Sequence, residues 1–238
     1  MAKKVMFLLG DPEYDSHLSM PPVAKELEDK HGLDVTVSLS TVIPDEPNFE
    51  VSEWPGIEKL ADADLLVLFT RFRNLAPKHV EMLQSYMVSG RPIVGLRTTT
   101  HAFHFPPESP YLLWNKGFGF NLCGTPWRYH YGHESETDVK VIPEKADHPL
   151  MEGVPTEFHV RSWLYDVLPL PESCVPLMTG TSVGESYKGD DRRVNPVTWT
   201  NKCFDSTVFF TTMGHPDDFK VEGFRKVLFN GILWALEQ

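Results

Sequence analysis

The chain has 238 residues, with 22 Lys and Arg against 33 Asp and Glu, and a formal net charge of −11 at pH 7. A chain of this length can form one large hydrophobic core without a metal or a disulfide. The negative charge opposes binding to the phosphate backbone of a nucleic acid, since the sequence has no cluster of basic residues. No apolar run approaches the roughly 20 residues of a membrane span. We therefore expect one soluble domain over residues 1–238, with neither nucleic acid nor a membrane as partner.

The start of the chain and its cysteines bear on the compartment. The first five residues include two lysines, but only a short apolar stretch precedes Gly10, which is typical of a first strand and not of a signal peptide. This start favours a cytoplasmic protein, and an exported chain whose signal has been removed would begin in the same way. Cys123, Cys174 and Cys203 form no C-x-x-C pair, so we expect three reduced, buried thiols.

The first hundred residues alternate between strand and helix patterns. Apolar runs and alternation predict strands at 4–9, 34–40, 64–70 and 92–96. Helical spacing of apolar residues predicts one helix that ends near Gly32 and another that runs from Pro77 to about Gly90. Such alternation indicates parallel βαβ units with right-handed crossovers. The predicted fold is α/β, a three-layer sandwich around a mostly parallel, doubly wound sheet.

The rest of the chain is less regular. Residues 98–136 are rich in aromatic residues, His, Pro and Gly, and we predict an irregular excursion with one short helix at 111–116. After it, we predict a strand at 137–142, short strands around Phe158 and Tyr165, strands at 197–200 and 207–212, and a helix at 219–236.

Ligands of open α/β sheets bind beyond the carboxyl ends of the strands, so polar residues at those positions are the candidates for a site. These positions hold Asp11, Glu13 and Tyr14 after the first strand, Arg71 and Arg73 after the third, Arg97, Thr98, Thr99 and His101 after the fourth, and His215, Asp217 and Asp218 after the last. Ionisable groups at four strand ends indicate a binding or catalytic site, since loops that only connect elements do not need them.

Several of these candidates have two interpretations. His215 follows a glycine and precedes a helix, which suits a proton carrier, whereas Asp217 and Asp218 could cap that helix or bind ligand. Arg97 follows a strand that should be central, where a charge needs a partner. That partner is either a carboxylate such as Glu13, which would make both residues structural, or an anionic or polyhydroxy ligand.

The histidines and the aromatic residues of the excursion add further candidates. His101 and His104, and likewise His130 and His133, have H-x-x-H spacing, which on one helix face could hold a divalent metal but in a loop means less. We take His130 and His133 as candidate ligands of such a metal, the one cofactor that the pattern allows. The aromatic candidates for stacking on a sugar ring, or for a core or interface, are Trp127, Tyr129 and Tyr131.

Several segments resemble the ThuA-like, or trehalose-utilisation, proteins, and they are spread over nearly the whole chain. They are GDPEY at 10–14, GLRTTTHAF at 95–103, the segment with His130 and His133, HPL at 148–150, and the stretch from MGHPDDF to ILWAL at 213–236. The resemblance implies a flavodoxin-type sandwich like that of class I glutamine amidotransferases, and an association with carbohydrate use.

The resemblance also bears on the chemistry. The broader superfamily places a nucleophilic cysteine on the turn after a central strand, but here that turn falls in residues 95–99 and has none. Hydrolysis of glutamine through a thiolate is therefore not expected. Two hypotheses follow. In the first, the protein is an enzyme that acts on a sugar or oxidised sugar, with His215 or Glu13 as proton carrier, Arg97 orienting ligand oxygens, and His101, His130 or His133 assisting, with or without a metal. In the second, it is a binding or regulatory module for a sugar-like metabolite or a protein partner, without catalysis. Trp234 near the end could belong to the core or to the face of a homo-oligomer.

Overall fold

The computed structural model describes residues 2–42, 47–184 and 194–238. The strands are β1 (Lys4–Gly10), β2 (Asp34–Leu39), β3 (Val51–Ser52), β4 (Leu65–Thr70), β5 (Asn74–Leu75), β6 (Ile93–Leu96), β7 (Ser135–Val141), β8 (Glu157–Val160), β9 (Val175–Gly184), β10 (Val194–Cys203) and β11 (Ser206–Thr211). The α-helices are α1 (Ser16–His31), α2 (Pro77–Met87), α3 (Trp114–Cys123) and α4 (Glu222–Ala235). Short 3₁₀ helices occupy Ile57–Asp62, Arg97–His101, Pro143–Lys145, Pro149–Met151 and Pro216–Lys220.

Nine strands form one sheet in the order β2-β1-β4-β6-β11-β10-β9-β7-β8, and β3 and β5 form a small separate pair. The first five strands of this order are parallel. The next four each run antiparallel to the preceding strand. The prediction of a mostly parallel sheet is therefore wrong for this half, and the sheet is mixed. For β10 and β11 the cause is local, since only Phe204 and Asp205 join these two strands, and a loop of two residues connects antiparallel strands.

Apolar clusters cover both faces of the sheet and create three layers. One cluster combines α1 and α4 with the sheet, through residues such as Leu27 and Leu228. The other combines α2 and α3 with the opposite face, through Leu83 and Phe118. All six residues of β4 and all six of β11 are buried, as expected for strands covered on both faces.

Most of the predicted elements are confirmed. The short strands β3 and β5 were not predicted, and the other exceptions lie after residue 110. β9 was not predicted, and the helix expected at 111–116 lies later, at Trp114–Cys123. Tyr165 lies outside the strands and makes an isolated bridge with His130. The last helix begins at Glu222, because Pro216–Lys220 forms a separate 3₁₀ turn.

The remaining expectations concern the thiols and the aromatic end of the chain. All three cysteines are buried and free. Trp234 is partly buried and packs against the cluster of α1 and α4. Within the described ranges, no helix combines the length and apolar character needed to cross a membrane.

Candidate functional site

A cavity of about 260 Å³ lies beyond the carboxyl ends of β1, β4 and β6. Its lining residues are Glu13, Tyr14, Arg71, Phe72, His101, Trp127, His130, His133 and Tyr165. The structure thus brings together residues from three predicted strand ends and from the irregular excursion. Phe72 and Tyr165 were not among the predicted residues, because aromatic side chains in loops form no sequence pattern that indicates a site.

The carboxylate of the cavity, Glu13, is held by two neighbours. The Nε atom of Arg71 lies 2.7 Å from Oε2 of Glu13, and the hydroxyl of Tyr14 donates to Oε1 at 3.4 Å. Glu13 and Arg71 both remain partly exposed to the cavity. The partner of Glu13 is therefore Arg71, and not Arg97, which the sequence left open.

Arg97 lies behind the wall of the cavity. It is fully buried, and its φ of 41° places it in the left-handed region at the turn that follows β6. Its Nη2 donates to the hydroxyl of Tyr14 at 2.9 Å, and its Nη1 donates to the carbonyl oxygen of Thr212 at 2.7 Å. The guanidinium carbon lies 4.1 Å from the ring centroid of Tyr14 and 4.7 Å from that of Tyr165. Arg97 therefore acts on the cavity through these two tyrosines.

Asp11 fixes the loop that carries Glu13 and Tyr14. It is fully buried, and its carboxylate accepts from the backbone N–H of Glu13 at 2.8 Å, from that of Tyr14 at 3.2 Å, and from the hydroxyl of Thr98 at 2.5 Å. Burial raises the pKa of Asp11 to about 6, against the lowering effect of the Thr98 hydrogen bond. Thr99 donates to the carbonyl oxygen of Leu68 at 2.8 Å. Thr98 and Thr99, predicted to bind ligand, instead hold the two strand ends together.

Two imidazoles of the cavity, those of His101 and His130, are uncharged at neutral pH. Burial, with the nearby charges of Arg71 and Arg97, holds the pKa of His101 well below its usual range. Burial, together with the smaller effects of His133 and Arg97, lowers the pKa of His130 to about 4. The rings of His130 and His133 lie 4.7 Å apart, a separation consistent with two neighbouring ligands. In the described part of the chain, however, no set of three or more His, Cys, Asp or Glu side chains is placed to hold a metal ion.

His215 lies beside this cavity but does not line it. Its ring centroid is 6.1 Å from that of Tyr14, and its Nδ1 accepts from the backbone N–H of Asp217 at 3.1 Å. Burial lowers the pKa of His215. One interpretation of the neighbouring aspartates was a cap of the last helix, but Asp218 closes the capping box of the separate 3₁₀ helix Pro216–Lys220. Asp217 is exposed and pairs with Lys220 at 2.6 Å.

Three further predicted residues lie away from the cavity or behind its walls. Arg73 is buried and donates to the carbonyl oxygens of Arg71 and Val42. Tyr129 bonds to Asp166 and packs against Tyr131, and burial raises its pKa. His104 stacks on Phe49 at 4.8 Å, outside the set of cavity residues. These side chains support the framework of the site and do not line it.

Among solved structures, a ThuA-like protein from Parabacteroides merdae is 18% identical and superposes with a TM-score of 0.67 over 99% of this chain and 90% of that one. A beta-galactosidase from Rahnella sp. R3 is 12% identical, with a TM-score of 0.56 over 100% of this chain and 31% of that one. The carbohydrate deacetylase Agd3 is 11% identical, with a TM-score of 0.55 over 97% of this chain and 32% of that one. At these identities the likeness shows the fold alone, and the chain spans about a third of the two larger proteins.

No curated protein resembles the chain closely enough to count as a match. A family model described as ThuA, trehalose utilisation, matches residues 4–235. This match includes β1 with the loop that carries Glu13, the turn of Arg97, and all of α4. Because the match covers nearly the whole sequence, the chain belongs to the ThuA, or trehalose-utilisation, family.

Proposed function

We propose that the protein is an enzyme of carbohydrate use, which moves a proton on a sugar or sugar derivative bound in the cavity beside Glu13. One arrangement supports this proposal: a carboxylate and three imidazoles surround a cavity that also has aromatic walls. General acid–base catalysis requires such groups within reach of one bound molecule. The family's description, trehalose utilisation, and the carbohydrate-active proteins that share the fold agree with a sugar as the ligand.

In this proposal Glu13 is the proton carrier. Arg71 and Tyr14 hold its carboxylate from two sides, so that its position is fixed before a ligand binds. His101 and His130 are uncharged at neutral pH. His101 can accept a proton, whereas the Nδ1 atom of His130 already accepts from Gly132 and its Nε2–H is a donor. The faces of Phe72, Trp127 and Tyr165 would pack against the C–H faces of a sugar ring. The volume of about 260 Å³ is near the lower end of small-molecule sites, which suits one sugar unit.

The topology agrees with a flavodoxin type of sheet. When the five parallel strands are numbered in chain order, their arrangement across the sheet is 2-1-3-4-5, the order of that type. Class I glutamine amidotransferases, to which the sequence bears a resemblance, carry a cysteine at the turn that Arg97 occupies here. We propose that this protein is not an amidotransferase, because a guanidinium cannot serve as a nucleophile. Its three buried, free thiols are typical of a reducing compartment, which supports the cytoplasm as its location.

His130 and His133 remain the candidate ligands of a divalent metal. Catalytic zinc sites use three protein ligands, and among the described residues no three His, Cys, Asp or Glu side chains are placed to share one metal ion. The residues do not fit a resident metal on their own, and no step of the proposed chemistry is derived through one.

Exchange of substrate protons with solvent tests the proposal. Trehalose, its singly oxidised keto derivatives, and simple aldoses and ketoses would be incubated with the protein in D₂O, and ¹H NMR would detect loss of C–H signals. We expect exchange with at least one of these sugars. In a Glu13→Gln variant, the exchange rate should be at least about 100-fold lower. Glu108→Gln, at an exposed glutamate outside the cavity, is the matched control and should exchange normally. Sugars that bind without exchange or turnover would instead support a non-catalytic binding module.

A further inference from the structure

The polar groups of the cavity include several hydrogen-bond donors and one carboxylate. Arg71, Tyr14 and Tyr165 line it, together with three histidines and Trp127. The Nδ1 atom of His130 accepts from the backbone N–H of Gly132 at 3.2 Å. Because Nδ1 accepts, the proton of this imidazole is on Nε2, and that nitrogen is a donor. The lining carboxylate, Glu13, is already neutralised by Arg71.

A second positive charge lies directly behind Tyr14. The guanidinium of Arg97 is fully buried, and its hydrogen bonds go to uncharged acceptors: the Tyr14 hydroxyl and the carbonyl oxygens of Thr212 and Trp163. Its Nε has no hydrogen-bond partner among the residues that the structure describes. Arginine stays protonated in proteins, so the charge is permanent. A hydroxyl that accepts from a guanidinium is polarised and becomes a stronger donor to the next acceptor.

Two buried carboxylates lie nearby, but both are committed elsewhere. Asp11 accepts from Thr98 and from the backbone of Glu13 and Tyr14. Asp218 accepts from Ser162 and from the backbone of the turn before Pro216–Lys220. They contribute negative charge to the region, yet their hydrogen bonds fix the surrounding loops. Neither carboxylate is among the residues that line the cavity.

We propose that the ligand of this cavity is a sugar acid, and that its carboxylate takes the place of Glu13 Oε1 as the acceptor from the Tyr14 hydroxyl, which Arg97 supports from behind. A carboxylate is an acceptor without donors, and so it matches a wall of donors better than a neutral sugar hydroxyl does. This inference rests on the proposed function, because it assigns the class of sugar that the same site binds. Tyr14 is the binding residue, and Arg97 is a positioning residue.

Isothermal titration calorimetry with matched pairs of sugars tests this assignment. The probes are D-gluconate with D-glucitol, D-glucuronate with D-glucose, and D-galacturonate with D-galactose, each at fixed ionic strength. We expect at least one acid to bind about tenfold or more tightly than its neutral partner. In a Tyr14→Phe variant, which keeps the ring that stacks on Arg97, the affinity for the acid should fall about tenfold or more, and that for the neutral sugar should change little.

A control and two contrary outcomes complete the test. Tyr86→Phe removes the hydroxyl of another buried tyrosine, which donates to the carbonyl oxygen of Pro92 at 2.9 Å near the opposite end of the sheet, and it should leave both affinities unchanged. Thermal unfolding of both variants would confirm that each folds. Equal binding of acids and neutral sugars, or a loss in Tyr14→Phe that is the same for both, would overturn the inference and leave the proposed function intact. If none of the six sugars binds, the inference fails, whereas the proposed function is judged separately by the exchange experiment with trehalose and its keto derivatives.

Discussion

Asp217 and Asp218 are neighbours in the sequence with opposite environments. Asp218 is fully buried, and its carboxylate accepts from the hydroxyl of Ser162 at 2.5 Å and from the backbone N–H groups of Gly214 and His215 at 2.9 and 3.2 Å. Asp217 is exposed and contacts Lys220. Two adjacent acidic residues therefore have different roles, although the sequence gives no means of distinguishing them.

Asp218→Asn should destabilise the protein by about 3 kcal/mol, because the new amide group turns a donor toward donors and leaves buried polar groups unsatisfied. Urea unfolding followed by circular dichroism would measure the loss. Asp217→Asn is the matched control and should leave the midpoint unchanged. Similar midpoints for the two variants would contradict the network that the structure shows around Asp218.

Asp11 makes the free energy of unfolding depend on pH in a direction that can be predicted. Its folded-state pKa is raised, mainly by burial, from 3.8 to about 6. A raised pKa means that the folded state binds the proton more tightly than the unfolded state does. Protonated Asp11 therefore stabilises the fold below pH 4, and this stabilisation is lost as the pH rises through about 6. The shift corresponds to a loss of about 3 kcal/mol.

An Asp11→Asn variant isolates this effect. Its amide can still accept from the loop backbone, and the hydroxyl of Thr98 can rotate to accept from it. Between about pH 4 and 7, the unfolding free energy of the wild-type protein should fall by about 3 kcal/mol relative to the variant. Guanidinium unfolding at a series of pH values would measure both curves, and parallel curves would contradict the raised pKa.

At the scale of elements, α3 packs against the turn that brings His101 into the cavity. A Cβ atom at Gly119 would clash with the carbonyl oxygen of Thr100, which belongs to this turn, whereas one at Gly117 on the same helix would meet open space. We expect Gly119→Ala to destabilise the protein by about 1–3 kcal/mol and to weaken ligand binding, because the turn has to move. Gly117→Ala should stabilise the helix by about 0.5–1 kcal/mol.

Thermal unfolding and calorimetric titration with the sugar probes would test this pair of variants. If Gly119→Ala bound ligand with unchanged affinity, the packing of α3 would not control the turn. The two glycines also explain why the sequence placed this helix too early and too short. Glycine lowers helix propensity, and no sequence pattern shows that a neighbouring turn approaches the helix at this position.

β9 was missed for a related reason. Pro176 and Gly180 interrupt its pattern, and both residues argue against a strand interior. In the structure, the side chains of Thr137, Val197 and Leu164 occupy the space that a Cβ at Gly180 would need. The parallel half was predicted well because its strands are continuous apolar runs bounded by clear turn residues. The antiparallel half depends on contacts between distant segments, which a single sequence does not reveal.

The residues of the candidate site were also predicted only in part. The strand-end rule found Glu13, Tyr14, Arg71 and His101, because polar residues directly after apolar strands are visible in the sequence. It also selected Thr98 and Arg73, which are buried and bond to other parts of the protein. Whether a residue after a strand points into a cavity or into the core depends on the turn that follows, and the positive φ of Arg97 is not visible in the sequence.

At the scale of the whole molecule, the three thiols report on global unfolding. Cys123, Cys174 and Cys203 are all buried in the cluster of α2 and α3, and burial raises the pKa of Cys174 and Cys203 to about 11 and that of Cys123 well above its usual range. Since the thiolate is the reactive form, none of them should react in the native state. Ellman's reagent should label no thiol in native buffer. In about 6 M guanidinium chloride, a concentration that unfolds most proteins, it should label all three. Rapid labelling of one thiol in native buffer would instead indicate local opening of the layer that contains α3.

The position of β11 has a consequence for how the chain matures during synthesis. β11 joins β6 to β10, and so it connects the parallel half of the sheet to the antiparallel half, although it leaves the ribosome after every other strand. Until β11 emerges, the nascent chain has two unpaired edges, on β6 and on β10, and open strand edges pair readily with other chains. The protein therefore depends on its last strand to close the sheet, and nascent chains stalled before residue 206 would be clients for chaperones.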